Sequence, residues 1–212
     1  MKIVVFGASG TIGSSIAAEA LARGHQVTAV VRDPTRVGPP HPALSVVAGD
    51  VLDASNVAAA VAGHDVVACA VGPRLPSDTP KLVVDAARSL IDGLAQARVD
   101  RLVIVGGAGS LEVAPGVRLV DTPEFPAAWK GIALAHCDAL AVYRAADLDW
   151  TYISPAALIR PGKRTGQYRT GTDQLLTDEE GESHISVEDY AIAFVDEIEN
   201  GRFVRQRMTV AY

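Results

Sequence analysis

The sequence predicts a doubly wound α/β domain built on a parallel sheet, and three observations carry that prediction. Short apolar runs rich in valine and isoleucine alternate with longer stretches whose apolar residues recur at helical spacing. The short runs are continuous rather than alternating in polarity, as strands covered on both faces require. A glycine triplet, Gly7-Ala8-Ser9-Gly10-Thr11-Ile12-Gly13, joins the first run to the first helical stretch. At 212 residues the chain is long enough for one domain with a sizeable core, and residues 1–212 read as a single unit.

Lys2 to Phe6 reads as the first strand, Thr11 to Arg23 as a helix and Gln26 to Val31 as the second strand, a βαβ unit. Gly7 permits the tight turn out of the strand, Gly10 lets the backbone approach a pyrophosphate, and Gly13 lets the helix lie close to the sheet. The unpaired N-terminal amides of that helix, those of Thr11 and Ile12 among them, and the positive end of its dipole suit a phosphate, with the Ser9 and Thr11 hydroxyls as further donors. This is a candidate dinucleotide site. Arg32 ends the second strand, where an acidic residue would hold the ribose hydroxyls of NAD and an arginine pairs with the 2′-phosphate of NADP. Arg32 therefore predicts NADPH, and NADH is the alternative if Asp33 takes the ribose. Arg32-Asp33-Pro34 also reads as a plain solvated turn.

A proline-rich loop, Val37 to Pro42, leads to a third strand, Leu44 to Ala48, which ends at Gly49-Asp50-Val51. Asp53 or Ser55 caps an alanine-rich helix to about Val61. His64 to Val71 is the fourth strand, and the small residues around its end, Ala70, Val71 and Gly72, let a ribose and pyrophosphate pass close to the backbone. A helix from Thr79 to Ala97 covers the sheet. The fifth strand, Asp100 to Val105, opens into a second close-approach segment, Gly106 to Ser110, that includes Gly107. All of these sites fall at the carboxyl edge of the sheet, where such folds bind ligands.

Residues 112–128 are punctuated by proline and read as a loop over the site. A helix from about Pro126 to Ala146 precedes a sixth strand, Asp149 to Ile153, that stops at Ser154-Pro155-Ala156-Ala157. Leu158 to Thr177, carrying Arg160, Lys163, Arg164 and Arg169, reads as a substrate-side segment, followed by a short strand at His184-Ile185. Ser186 caps the last helix with Asp189 at the capping-box position, and Ala191, Phe194, Val195 and Ile198 form its buried face. Gly201 ends that helix, and Arg207 to Tyr212 closes the sheet.

Composition narrows the partners. The formal net charge of −6 argues against a broad nucleic-acid or anionic-membrane surface. No apolar stretch is long enough to span a bilayer and Met1 leads directly into a strand, so the expected compartment is the cytoplasm. Cys69 and Cys137 stand alone and the five histidines are scattered, so neither a disulfide nor a metal site is expected. The expected assembly is a monomer or homodimer.

The chemistry is narrowed by a missing pair. Short-chain dehydrogenases that reduce carbonyls use a tyrosine whose pKa is lowered by a lysine four residues later, but Tyr143, Tyr152, Tyr168 and Tyr190 are followed there by Asp147, Ala156, Thr172 and Phe194. Reduction of a flavin by hydride transfer needs little acid catalysis, because stacking and positioning suffice. Val105 to Leu111, Trp150 to Ala156, Pro161 to Tyr168 and Ile185 to Ala191 resemble the NADH-flavin reductases of the atypical short-chain dehydrogenase group, which is similar in plan to biliverdin reductase B. The G-x-x-G-x-x-G spacing is that of this superfamily.

The resemblance implies a Rossmann fold with a small C-terminal substrate lobe. It also implies an adenine against Asp50 and Val51, and a nicotinamide near Ser154, Pro155, Ala156 and Ala157. The planar acceptor, FMN or another flavin, would be covered by residues 111–129 and 158–185. Ser110 and His136 are the candidate catalytic residues, one orienting the nicotinamide or acceptor and the other donating a proton. Trp129, Phe125 and Tyr168 are candidates for stacking, and the basic residues near 160–169 for a flavin phosphate. Ala157 stands where biliverdin reductase B has a histidine, which disfavours a tetrapyrrole. Two other functions remain open: a nonstandard reductase or isomerase of a biosynthetic carbonyl compound, and a non-catalytic NADP-binding redox sensor of the NmrA type.

Overall fold

The predicted strands and helices line up, in a computed structural model that describes residues 1–73 and 78–212, around one central sheet. The chain runs β1 (Lys2–Phe6), α1 (Thr11–Ala22), β2 (Gln26–Val31), β3 (Leu44–Ala48), α2 (Ala54–Val61), β4 (Val66–Cys69), α3 (Leu82–Ala97) and β5 (Arg101–Val105). A hairpin of β6 (Glu112–Ala114) and β7 (Val117–Arg118) follows, then α4 (Ala127–Arg144) and β8 (Asp149–Pro155). The remainder is β9 (Leu158–Arg160), β10 (Arg169–Gly171), β11 (His184–Ser186), α5 (Val187–Asn200) and β12 (Gln206–Ala211).

Eight strands form the sheet in the order β10-β12-β8-β5-β4-β1-β2-β3, all parallel except β10, which runs antiparallel to β12 at one edge. The chain leaves β1 toward β2 and β3, then crosses to β4 on the other side of β1. That reversal opens a crevice at the carboxyl ends of β1 and β4. Side chains alternate between two cores. Ile3, Val5, Val103, Ile153 and Met208 pack under α1 and α5, while Val4, Phe6, Leu102, Ile104 and Trp150 pack under α2, α3 and α4. Each fully buried side chain of this size, such as Phe194 or Leu90, contributes about 1.5–3 kcal/mol to folding.

Several local features differ from expectation, among them the β6–β7 hairpin within residues 112–128, read as a loop, and β4, which is shorter than His64 to Val71. The helix expected from Thr79 starts at Leu82. Strand β8 does not stop before Ser154 but continues through Pro155, which pairs with Val210; as the last residue of the strand, proline costs little of the ladder. At the start of α5 the capping box is only half formed. The Ser186 hydroxyl accepts from the Asp189 amide at 3.0 Å, but the Asp189 carboxylate turns to the neighbouring segment. There it accepts from the Thr165 amide (2.8 Å), the Gly166 amide (2.8 Å), the Thr165 hydroxyl (2.6 Å) and the Tyr212 hydroxyl (2.6 Å). Burial works to raise its pKa, and these hydrogen bonds outweigh burial and hold it below the usual carboxylate range. The amides of Thr165 and Gly166 are thus satisfied by one buried side chain rather than by a strand partner.

The two acceptor-side segments meet. The Glu112 amide donates to the Asp173 carbonyl at 2.8 Å and the Leu175 amide donates to the Glu112 carbonyl at 2.9 Å, bracing the hairpin against residues 173–175. Among the described residues, no helix is long and apolar enough to cross a membrane.

Candidate active site

The first turn of the site is made of backbone. Gly7 adopts φ +82°, and a Cβ there would lie 2.5 Å from the Ala70 carbonyl oxygen. A Cβ on Gly13 would lie 2.2 Å from the Gly7 carbonyl oxygen, so the close approach that excludes a side chain at Gly13 is to the loop itself. Gly10 is different: a Cβ there meets the Gly7 oxygen only at 3.4 Å, which leaves the outer side of this position open. Helix α1 begins at Thr11 with Gly10 as N-cap and no side-chain cap, so its first-turn amides face the crevice without a side-chain acceptor. Thr11 is exposed, whereas Ile12 turns its side chain into the core and has only its amide to offer. An open backbone cradle at an uncapped helix N-terminus fits a pyrophosphate.

The crevice next to this turn is a cleft of about 680 Å³. Gly7, Ser9, Gly10, Arg32, Asp50, Val51, Ala70, Val71 and Gly72 all line it, so residues from four loops expected to bind the dinucleotide are brought together. Val30, Gly49 and Leu82 also line it and were missed, because nothing in their local sequence marks them. A Cβ on Gly49 would lie 2.8 Å from Val30 Cγ1, which explains the glycine. Arg32 is mostly exposed at the cleft rim and forms an ion pair with Asp78 at 3.5 Å. Asp33 turns away from the ribose role: its carboxylate accepts from the Thr35 amide at 3.1 Å and the Thr35 hydroxyl at 2.6 Å. Asp53 caps α2 through Ser55 (2.8 Å) and Asn56 (3.2 Å), leaving Asp50 at the cleft with its carboxylate on the Leu52 amide at 2.9 Å.

Beyond β4 the site is made of side chains. Tyr152 on β8 is buried under the 106–110 segment, and its hydroxyl accepts from the Gly107 amide at 3.2 Å. The same hydroxyl lies 3.0 Å from His136 Nδ1 and 3.0 Å from the His136 carbonyl, to which it donates. Here the glycines have an inward cause: a Cβ on Gly106 would lie 2.2 Å from the Tyr152 ring, one on Gly107 2.9 Å from His136 Cβ, and one on Gly109 2.8 Å from Ala133. The segment is therefore packed from beneath. Burial pulls the His136 pKa down to about 4, so the ring is neutral near pH 7. This corrects the expected proton donor: His136 is not an imidazolium, and Nδ1 is engaged by Tyr152.

Ser110 meets a residue that sequence inspection overlooked. Arg207 on β12 is buried, and its Nη1 donates to the Ser110 hydroxyl at 2.8 Å and to the Ser110 carbonyl at 3.0 Å, while Nη2 pairs with Asp173. Arg207 lies in register with Tyr152, so two neighbouring side chains hold the two ends of the 107–110 segment. Ser154, Pro155 and Ala156 are buried and do not line the open cleft. The Ser154 hydroxyl and Arg207 Nε are buried without a hydrogen-bond partner among the described residues.

Of the stacking candidates, Tyr168 is withdrawn from the site, because its hydroxyl donates to Asp196 far along α5. Trp129 is 58% exposed in the first turn of α4. Within the basic segment, Arg164 pairs with Glu19 at 3.0 Å and Arg169 donates to the Tyr212 and Thr177 carbonyls, so both guanidinium groups are committed within the chain. Cys69 and Cys137 are free thiols, and burial pushes Cys69 up to about 11.

Fold, glycine turn and cleft define a Rossmann-type dinucleotide-binding domain. The chain belongs to the NAD(P)H-binding family, whose model it matches over residues 7–200. It is similar to a solved structure described as a "putative exported protein" from Burkholderia pseudomallei, at 56% identity and a TM-score of 0.91, with both chains fully covered. A "putative epimerase" from Bacteroides thetaiotaomicron is 41% identical with a TM-score of 0.92, covering 100% of this chain and 96% of that one. A "putative NADH-flavin reductase" from Streptococcus pneumoniae is 36% identical with a TM-score of 0.89, covering 100% and 99%. The chain is therefore an NAD(P)H-binding protein of the oxidoreductase fold, related to the atypical short-chain dehydrogenases.

Proposed function

We propose that the protein is a flavin reductase that uses NADPH in preference to NADH and acts on free FMN or riboflavin. The observation that carries this reading is the acceptor side: Tyr152 is spent on the Gly107 amide and His136, and His136 is neutral, so the site supplies positioning and hydrogen bonds rather than a strong acid. Bound NADPH would supply the hydride from its nicotinamide, and a flavin can take its proton from water. The residues of the chain do the rest. Gly7, Gly10, Gly13 and the first-turn amides of α1 hold the pyrophosphate, Arg32 takes the 2′-phosphate at the rim, and Asp50 and Val51 border the adenine. Ser110 and the exposed Trp129 face the acceptor, beneath the brace of residues 112–118 and 173–175. The "putative NADH-flavin reductase" relative supports the same acceptor class.

A carbonyl isomerase is the second reading, favoured by the neutral His136 ring, whose Nε2 has no partner among the described residues, and by the "putative epimerase" relative. Purified protein given NADPH or NADH, with and without FMN, and followed by nicotinamide absorbance separates the two. The expected result is oxidation that requires flavin and is faster with NADPH. Tight NADPH binding with no oxidation on any flavin would sink the reductase and leave the isomerase or a sensor.

A further inference from the structure

We infer that Arg207 is a positioning residue that sets Ser110 as a hydrogen-bond donor to the acceptor. The inference rests on the reading that Ser110 faces the acceptor. Arg207 Nη1 donates to the Ser110 hydroxyl oxygen at 2.8 Å, which fills one lone pair with a charge-assisted bond. A second bond from Nη1 to the Ser110 carbonyl at 3.0 Å fixes the backbone at that position. With its oxygen accepting, the hydroxyl directs its proton away from the guanidinium, and among the described residues no acceptor takes that proton. Polarisation by the cation makes the same hydroxyl a stronger donor than an ordinary serine. Charge building on the acceptor during hydride transfer is where such a donor acts, and Ser110 keeps its proton throughout.

The surroundings fit a functional rather than a packing role. Arg207 is buried at 6% exposure, yet its Nε has no partner among the described residues, and its counter-charge, Asp173, belongs to a half-exposed segment that braces the hairpin. A buried cation kept with an unmatched N–H is an expensive way to fill space, and an apolar residue would pack the same strand position more cheaply. Lysine is not an equivalent, because one ammonium cannot hold the Ser110 carbonyl, the Ser110 hydroxyl and Asp173 in the fixed fork that the guanidinium provides.

A double-mutant cycle tests this with two readouts: FMN affinity at saturating NADP⁺, from quenching of flavin fluorescence, and kcat for FMN reduction. Ser110→Ala and Arg207→Lys are each expected to lower affinity and kcat by about tenfold, the worth of one charge-assisted hydrogen bond. Arg207→Lys added to Ser110→Ala is expected to cost less than about a further twofold in either readout. Asp173→Asn, which keeps the side-chain shape and an oxygen for Arg207 Nη2, is the milder variant, checked by its thermal unfolding, and its smaller loss should likewise vanish when Ser110 is alanine. Full additivity of the two losses would show that Arg207 acts structurally and overturn the inference while leaving the flavin reading in place. No loss in Ser110→Ala would remove Ser110 from the site and the inference with it. Wild-type protein that neither binds nor reduces FMN would overturn the proposed function itself.

Discussion

The two halves of the site are built from different material. On the β1–β4 side the cleft is shaped by backbone: three glycines, an uncapped helix terminus and small residues at strand ends. On the β5–β12 side the surface is held by side chains, with Tyr152, His136, Arg207 and Asp173 bonded to the segment 107–110 or to each other. Backbone amides at a helix end recognise any pyrophosphate, so that half is general. The side-chain half can be changed one residue at a time, and on the proposed reading it is the half that selects the acceptor.

If the comparison is right, the largest effects belong to the backbone half. Gly13→Ala places a methyl group 2.2 Å from the Gly7 oxygen, with no flexible side chain able to yield. The expected cost is about 3 kcal/mol of stability together with loss of NADPH binding, read from thermal unfolding and nicotinamide fluorescence. Gly10→Ala, whose methyl group meets only an atom at 3.4 Å, should leave the melting temperature unchanged and still lose most NADPH affinity. Equal stability losses in both variants would mean that the triplet is a folding device and not a phosphate cradle.

The next effect lies in the side-chain half and concerns pH. His136 has its folded-state pKa depressed to about 4 by burial, below the ordinary histidine value, so the folded protein binds fewer protons than the unfolded chain between the two. Its contribution to stability is fully present above about pH 6.5 and is lost as pH falls toward the folded value, by about 2 kcal/mol between pH 6.5 and 5. Urea unfolding across this range should show that slope, and His136→Gln should flatten it. Asp189 acts at lower pH in the same direction, since its carboxylate is held below the usual range and loses its bonds only when protonated. A kcat that titrates with His136 near pH 6.5 would contradict the neutral ring and revive the acid role.

How much of this was legible in sequence follows from the same division. The βαβ start was readable because Gly7, Gly10 and Gly13 are close neighbours and each answers to a local backbone demand. The cleft residues Arg32, Asp50 and Gly72 were readable because each ends a recognisable strand, and parallel strands bring their ends together. Arg207 was not, because a basic residue opening a terminal strand looks like a solvated edge, and its partners Ser110 and Asp173 lie 97 and 34 residues away. The Gly106-Gly107 pair looked like a second ligand-approach loop because sequence cannot say from which side a glycine is crowded; here it is crowded by Tyr152 and His136 from within. Asp189 sat at the capping-box position and yet found a better use for its carboxylate in the amides of Thr165 and Gly166.

On the proposed reading Arg32 sets the cofactor choice of the backbone half, and testing it sharpens the boundary. Its side chain is 59% exposed and, among the described residues, pairs only at 3.5 Å with Asp78, so its removal should not affect folding. Arg32→Ala is expected to lower kcat/KM for NADPH by about tenfold and leave NADH nearly unchanged, the loss of one charge-assisted phosphate contact at a solvated rim. Equal losses for both cofactors would place the 2′-phosphate elsewhere.

The smallest expected effect tests whether the acceptor half is more than its polar brace. Trp129 is 58% exposed on the first turn of α4, at the carboxyl edge of the sheet, where α4 also passes close to Pro80: a Cβ on Gly131 would lie 3.7 Å from the Pro80 ring. On the proposed reading this exposed indole stacks offset on the planar acceptor, a contact worth about 1 kcal/mol. Trp129→Ala should therefore raise the KM for FMN by about fivefold, leave the KM for NADPH alone and leave stability unchanged. Trp129→Phe should recover most of the loss. The only other tryptophan in the chain, Trp150, is 4% exposed in the core, so quenching of the exposed indole emission by FMN reports Trp129 directly. Quenching without a change in KM would put the flavin near α4 but not on the indole, and would hand the choice of acceptor back to Ser110 and the side chains that hold it.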